Sequence, residues 1–357
     1  MYYLKYRPQS LEELDNTLVR EQLKKILTAS SIPHAFLFAG PKGTGKTSTA
    51  RIVAKILNCA ENADGKIVQL APPETDSNVR AITQGTSPDV IEMDAASSRK
   101  IDDIRQLISE LKFSPLVSTY KLYIIDEVHM LTKEAFNALL KSLEEPPAST
   151  IFILATTETD SLPSTIVSRC VVVNFVHADT EDVVTMLKRI CKGEGITMSE
   201  EILHDIALHA DGSFRDAAKI LEMAVIQKAD SSEKILALLG KSSQSIDILD
   251  YMIGGSLADS LQWIQKASSE GSNFRIIIES MLHTLHRILL QKNGIDVELK
   301  STYNVSVKEV AYLISLLHKA YNEMKYAPVH QLPLELVAVD FFAFKGDKLG
   351  STSTIKN

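Results

Sequence analysis

The first half of the chain alternates short apolar runs with amphipathic stretches, and the second half carries amphipathic stretches alone. Residues 34–39, 89–94, 120–127, 150–155 and 171–175 have the length and apolar content of buried strands. Between them, apolar residues recur at helical spacing over 19–29 (Leu23, Ile26 and Leu27 on one face) and over 47–57. The same spacing marks 101–112, striped by Ile101, Ile104, Leu107, Ile108 and Leu111, and 132–145. Thr132 is a candidate N-cap for this last helix, and Pro146-Pro147 stop it. Residues 61–88 are polar and rich in Pro, Thr, Asp and Asn, and read as a long loop or a small insertion. Strands alternating with helices predict a three-layer α/β domain around a parallel five-stranded sheet.

From Thr180 the pattern is purely helical. Ser199 with Glu200 and Glu201 starts one helix. Ala210-Asp211-Gly212 breaks the chain, and Ser213 caps the next helix with Asp216 in an S-x-x-D box. Helices follow over about 245–268, 273–292, 306–325 and 331–343, with Gly271 and Asn293-Gly294 among the separators. The stretch from Lys345 to Asn357 is polar and Gly/Ser/Thr-rich, which predicts disorder. No internal repeat stands out.

Composition narrows the class. The chain has 357 residues, enough for two or three domains, and 45% hydrophobic with 23% charged residues is ordinary for a soluble globular protein. No apolar run approaches the ~20 residues that span a bilayer. The N-terminus is polar from Lys5 onward, which argues against a signal peptide. Cys59, Cys170 and Cys191 are odd in number and far apart, which argues against a disulfide framework and fits a reducing cytoplasm. A net charge of −7 excludes a protein that holds nucleic acid alone through a large basic surface. Any DNA contact must be a local patch or one assembled from several subunits.

The chemistry begins at Gly40-Pro41-Lys42-Gly43-Thr44-Gly45-Lys46-Thr47, which fits the phosphate-binding pattern G-x-x-x-x-G-K-[ST]. Gly40, Gly43 and Gly45 allow tight turns that point successive N–H groups inward. Lys46 supplies a point charge, and the Thr47 hydroxyl is a hard oxygen ligand for Mg²⁺. A strand before and a helix after place an anion on the helix N-terminus, so Ser48 joins the candidate binding positions. A second element, the strand at 120–127, ends in Asp126 and Glu127. Beside a P-loop, such an Asp supports the metal and a following Glu polarises the attacking water. Arg215 falls in the first turn of its helix, a poor place for a cation unless an anion binds there; a solvated arginine is the alternative. Tyr2-Tyr3-Leu4-Lys5-Tyr6-Arg7-Pro8 could pack a purine base or form a plain N-terminal arm against the core.

These motifs, with Thr156-Thr157 and Ser168-Arg169-Cys170, resemble those of the bacterial clamp-loader ATPases, the gamma/tau subunits of DNA polymerase III within the AAA+ superfamily. The likeness runs from about Tyr3 to Phe344. Its telling parts include Lys5-Tyr6-Arg7-Pro8, the P-loop and Glu92-Met93-Asp94-Ala95-Ala96-Ser97. Ile125-Asp126-Glu127-Val128-His129-Met130, Leu143-Glu144-Glu145-Pro146-Pro147 and Ala155-Thr156-Thr157-Glu158 add to it. The resemblance implies an AAA+ nucleotide-binding domain over 1–178, a small helical lid domain over 179–241 and an all-α collar domain over 242–344. It implies that Lys46 and Thr47 hold phosphates and Mg²⁺, that Asp126 supports the metal and that Glu127 is the base. By the same likeness Thr157 is sensor 1, Arg215 sensor 2, and Arg169 an arginine finger directed at a neighbouring subunit's nucleotide. Tyr6, Arg7, Pro8 and Val19 would line the adenine pocket. Lys100, Arg105 and Lys141 would face DNA, with a solvated helix face as the alternative. Two departures stand out. The family commonly carries a four-cysteine zinc module after the P-loop helix, where this sequence keeps only Cys59. The chain also runs only a short way past the third domain, whereas tau forms carry a long extension that binds polymerase and helicase.

The function implied is an ATPase (ATP to ADP and phosphate), the motor subunit that opens the sliding clamp and loads it on primed DNA for the DNA polymerase III holoenzyme. It could be catalogued with that holoenzyme as a DNA-directed DNA polymerase. The implied cofactors are ATP and Mg²⁺ without zinc. The partners are other subunits of a hetero-pentameric clamp loader, the sliding clamp and primer-template DNA, with no membrane. Asp126-Glu127-Val128-His129 also reads D-E-x-H, but a helicase of that type needs a second α/β motor domain, and the region after 180 is helical. A non-catalytic scaffold disagrees with intact Lys46, Thr47, Asp126 and Glu127. Another AAA+ DNA motor, such as a branch-migration helicase, is the remaining alternative.

Overall fold

The computed structural model describes residues 1–97, 101–111, 113–238, 244–295, 303–324 and 327–350. Along the first unit the elements are α1 (Tyr2–Lys5), α2 (Thr17–Leu27), β1 (Ala35–Ala39), α3 (Lys46–Asn58), α4 (Ser77–Gln84), β2 (Val90–Asp94) and α5 (Ile101–Glu110). They continue as β3 (Lys121–Asp126), α6 (Lys133–Glu144), β4 (Thr150–Thr156), α7 (Ser164–Val167) and β5 (Val171–Asn174). Three further helices, α8 (Thr180–Glu194), α9 (Glu200–His209) and α10 (Phe214–Ile226), complete a compact unit that ends at Gln227.

The five strands form one parallel sheet in the order β2-β3-β4-β1-β5. Its central strands β1, β3 and β4 are buried at nearly every position because both faces are covered, as a parallel sheet requires. Phe36, Phe38, Leu122, Ile124, Ile151 and Ile153 point to one face, where they pack with α2, α3 and Ile82 of α4. Their neighbours Leu37, Tyr123, Ile125, Phe152 and Leu154 point to the other, against α5, α6 and Ile166 of α7. Period-two alternation therefore generates the three layers. The β1–β4 register pairs Ala39 with Thr156, and β2–β3 pairs Asp94 with Asp126, so the strands end together along one edge.

Residues 61–88 are more ordered than a loop. A short 3₁₀ turn (Ala60–Gly65) and α4 occupy the ends of the segment. Asn62, fully buried, is the hub: Nδ2 donates to Ile56 O and Gln69 O, and Oδ1 accepts from Val68 N and Gln69 N, all at 2.7 Å. Asp76 caps α4 through Asn78 N and Val79 N, and its other oxygen accepts from Ala60 N at 2.8 Å. A polar composition here encodes a buried hydrogen-bond network that joins the segment to α3.

The second unit, from Lys228 on, is all helical: α11 (Ser232–Leu238), α12 (Gln244–Gly254), α13 (Leu257–Ser269), α14 (Phe274–Lys292), α15 (Val307–Glu323) and α16 (Leu332–Gly350). Its own core gathers Ile248, Ile264, Ile278, Leu285, Leu313 and Phe341, among others. Two expectations are corrected here. The single helix over 245–268 is broken at Gly254-Gly255, and Ser256 starts α13 with a full capping box to Asp259. Of the tail expected to be disordered from Lys345 to Asn357, the part to Gly350 continues instead as α16, and 351–357 lie outside the described residues. Tertiary contacts hold that turn: Phe344 stacks on Tyr312 at 4.3 Å, and Lys345 Nζ donates to Met252 O and Ile253 O at the end of α12.

Replacing Asn62 by Ala strands two backbone N–H groups and two carbonyls. The expected cost is about 2–3 kcal/mol of local stability, from groups left without partners. Limited proteolysis should then cut within 66–76 at denaturant concentrations that leave the unaltered protein intact; equal resistance would contradict the hub role.

Candidate functional site

The edge where the strands end is the site. From β1 the chain enters the glycine loop. At Gly40 (φ +148°) a Cβ would lie 2.0 Å from Phe175 O, and at Gly43 (φ +84°) one would lie 2.0 Å from Ser213 Oγ. The loop therefore threads between the end of β5 and the cap of α10, and only glycine fits. Gly45 precedes α3 and offers no side-chain cap, so the N–H groups of the first helical turn keep their capacity for an anion.

Lys46 is buried, and its Nζ donates to Gly40 O and Pro41 O, both at 2.7 Å. Desolvation pulls its pKa below the ordinary lysine value, against the opposing pull of Glu127 and Asp126. Thr47 Oγ1 donates to Asp126 Oδ2 at 2.7 Å, which brings the two hard-oxygen groups of α3 and β3 together. Glu127 follows in the left-handed region (φ 47°, ψ 45°), a conformation that costs a side-chain-bearing residue roughly 1–2 kcal/mol. Thr157 Oγ1 donates to Glu127 Oε2 at 3.1 Å. His129 Nδ1 stands 3.5 Å from the same oxygen and 3.1 Å from Thr156 Oγ1. The ends of β3 and β4 thus fix the direction of the Glu127 carboxylate.

A cavity of about 360 Å³ opens above this edge. Tyr6, Arg7, Pro8, Val19, the loop from Lys42 to Ser48, Asp126, Glu127 and Arg215 all line it. Gly40 and Pro41 contribute through the carbonyls that hold Lys46. The N-terminal segment is an arm whose residues also reach the cavity. Tyr2 N donates to Glu222 at 3.1 Å and Lys5 pairs with Glu194 at 2.6 Å, so α1 is an arm on α10 and α8 whose far side walls the cavity. Burial, then Arg51, lowers the pKa of Arg7. Arg215 is exposed, with its guanidinium carbon 5.1 Å from the centre of the Tyr3 ring.

Other predicted positions lie apart from the cavity lining. Arg169 pairs with Glu144 at 2.6 Å and with Thr165 O at 2.7 Å, beside α6 and α7. Lys141 is exposed on α6. Lys100 and the side chain of Arg105 lie outside the described residues. The sequence reading missed Leu14, Asp15, Met186, Arg189 and Ile190, which also line the cavity. Positions 186, 189 and 190 share one helix face, but nothing in that periodicity separates a cavity wall from an ordinary core stripe. Burial pushes the Asp15 carboxyl up from its usual range, although the Arg189 guanidinium opposes it.

A cradle of N–H groups, a buried ammonium, a Thr–Asp oxygen pair and an apolar slot together fit a magnesium nucleoside triphosphate. Relatives decide the family. The chain is 31% identical to the DNA polymerase III subunit gamma of Buchnera aphidicola subsp. Schizaphis graminum, over 93% of this chain and 95% of that protein. The chain belongs to the gamma/tau family of DNA polymerase III subunits. It is 35% identical to the tau subunit of Bacillus subtilis over 94% of its length, and 33% identical to that of Escherichia coli over 95%. It spans 62% and 55% of the length of these two tau proteins. The family model described as DNA polymerase III, delta subunit matches residues 16–179. Among solved structures, the Thermotoga maritima RuvB Holliday junction branch migration motor aligns at 20% identity over 74% of this chain and 85% of that one. The TM-score of that alignment is 0.48. Among the described residues, no helix is long and apolar enough to cross a membrane.

The loop's tight passage predicts a difference between two glycines. Gly43→Ala meets Ser213 and a positive φ together, whereas Gly45→Ala meets only the positive φ (+98°), with no atom within 4 Å. Gly45→Ala should cost roughly 1–2 kcal/mol from backbone conformation. Gly43→Ala should cost clearly more and lower the melting temperature further; equal shifts would show that the loop does not pack on Ser213.

Proposed function

We propose that this gamma/tau-family chain is an ATPase motor subunit of a clamp loader, which opens a sliding clamp and places it on primed DNA. The observation that carries the reading is the convergence of Lys46, the Thr47–Asp126 pair and the Thr157–Glu127 pair in one cleft. Lys46 trades two neutral carbonyls for phosphate oxygens, a gain because its charge is now desolvated without a carboxylate partner at bonding distance. Thr47 and Asp126 hold Mg²⁺, which when bound supplies positive charge to the phosphate oxygens. Glu127, aimed by Thr157 and His129, accepts the proton of the attacking water. Arg215 contributes its charge from α10. Arg169 reaches a nucleotide held by a neighbouring subunit, and Tyr6, Arg7, Pro8 and Val19 receive the adenine.

Further subunits complete a hetero-pentamer, and the protein works in the cytoplasm with the clamp and primer-template DNA. Lys141, with Lys100 and Arg105, faces that DNA. The chain works without structural zinc. Between Leu57 and Asp94 there is one thiol, Cys59, and no histidine. Burial pushes that thiol's pKa up, away from the thiolate that a zinc site requires, and the Asn62 network supplies the cross-links.

Three outcomes follow. Lys46→Ala should abolish nucleotide binding, while Glu127→Gln should bind ATP and stall in hydrolysis; equal loss of binding in both would overturn the roles. Arg169→Ala should cut the ATPase rate of the assembled loader by roughly 10³-fold or more. Mixing it with Glu127→Gln chains should restore interfaces that hold one intact finger and one intact base, and no recovery under subunit exchange would contradict a finger acting in trans. Metal analysis of tag-free protein should find no zinc; about one zinc per chain, retained through dialysis against a weak chelator, would contradict the zinc-free reading.

A further inference from the structure

The cavity has two chemically different ends. One is the glycine loop and the first turn of α3, rich in N–H groups. The other is apolar, with Leu14 and Val19 on one wall and Met186 and Ile190 on the other, all four buried. Asp15 and Arg189 are the charged residues set among them. They are joined by two parallel hydrogen bonds, Nη1 to Oδ1 and Nη2 to Oδ2, each 2.9 Å. Asp15 is 11% exposed and Arg189 38%. Asp15 precedes α2, whereas Arg189 stands on α8 in the same helical turn as Met186 and Ile190. Next to Asp15, Asn16 caps α2 through Val19 N at 3.1 Å, which anchors this wall.

We propose that the Asp15–Arg189 pair positions the base of a nucleoside triphosphate by fixing the spacing between these two walls. The pair thereby makes the cleft select a nucleotide over bare polyphosphate. The inference rests on the reading of the cleft as a nucleotide site. A planar base gains contact on both faces only when its walls are held at one separation. A bidentate guanidinium–carboxylate pair sets both distance and orientation, which a single ammonium contact does not. Removing one partner also leaves an uncompensated charge at the apolar end, so either single loss is worse than neutralising both.

The test is isothermal titration of the full chain with Mg·ATP and, separately, with Mg·tripolyphosphate. Asp15→Asn and Arg189→Gln should each weaken Mg·ATP about tenfold or more, as removal of one partner from a hydrogen-bonded charge pair does. The double variant should be no weaker than the worse single one, the sign of direct coupling. Affinity for tripolyphosphate should stay within about twofold throughout, because the pair's hydrogen bonds run between Asp15 and Arg189 and not to the phosphate loop. Arg189→Lys, which keeps the charge and the stem, should still lose most of the ATP affinity, and it carries the test if a neutral variant does not fold. Unchanged ATP affinity in both single variants would overturn the proposal. So would equal weakening of ATP and tripolyphosphate, the result expected if the pair only held the helical layer in place, since Ser213 and Arg215 ride on that layer. An unaltered chain that does not bind Mg·ATP would overturn the nucleotide reading and this inference with it.

Discussion

The contact on which the site depends is the passage of Gly43 against Ser213. Ser213 caps α10 by accepting from Asp216 N at 3.2 Å and is itself held by donating to Asp216 Oδ2 at 2.8 Å. The residue that starts α10 is therefore fixed, and the phosphate loop is packed directly on it. Arg215, two positions later, is placed over the cavity by the same turn. A side chain at Gly43 would separate loop and helix. Any group that reshapes the loop must be felt at the start of α10.

The N-terminal arm closes the same circuit from the other side. Its ion pairs, Met1 to Glu222 and Lys5 to Glu194, are largely exposed on the basic side and contribute little energy singly. Their effect is geometric. They hold Tyr6 against α8 so tightly that a Cβ at Gly193 would lie 2.3 Å from the Tyr6 hydroxyl. Phosphate loop, arm and helical layer thus share one cavity, and the sheet edge supplies its acidic residues from below.

Much of this was legible in the sequence because burial imposes periodicity. All five strands and the longer helices around them follow from it, and Thr132, Ser199 and Ser213 do cap the helices after them. The glycine loop and Asp126-Glu127 were legible as chemistry, since few other arrangements need those residue types in that order. What escaped was encoded in tertiary contacts. Asn62 looks like loop polarity until its four partners converge on it. The break at Gly254-Gly255 is hidden by apolar residues that continue on both sides, Met252 and Ile253 before and Leu257 after. Phe344 and Lys345 of α16 are held by Tyr312 and by the carbonyls ending α12, far away in sequence. Asp15 and Arg189 are ordinary surface residue types, and only folding brings them to one cavity.

The central claim is that a nucleotide in this cleft is gripped by the loop and the helical layer together. Hydrogen–deuterium exchange with and without a slowly hydrolysed Mg·ATP analogue tests it directly. The account predicts that peptides covering Gly40–Thr49 and Ser213–Ala218 gain protection in parallel, at one shared ligand concentration. Protection of the loop alone, with no change at the start of α10, would contradict it.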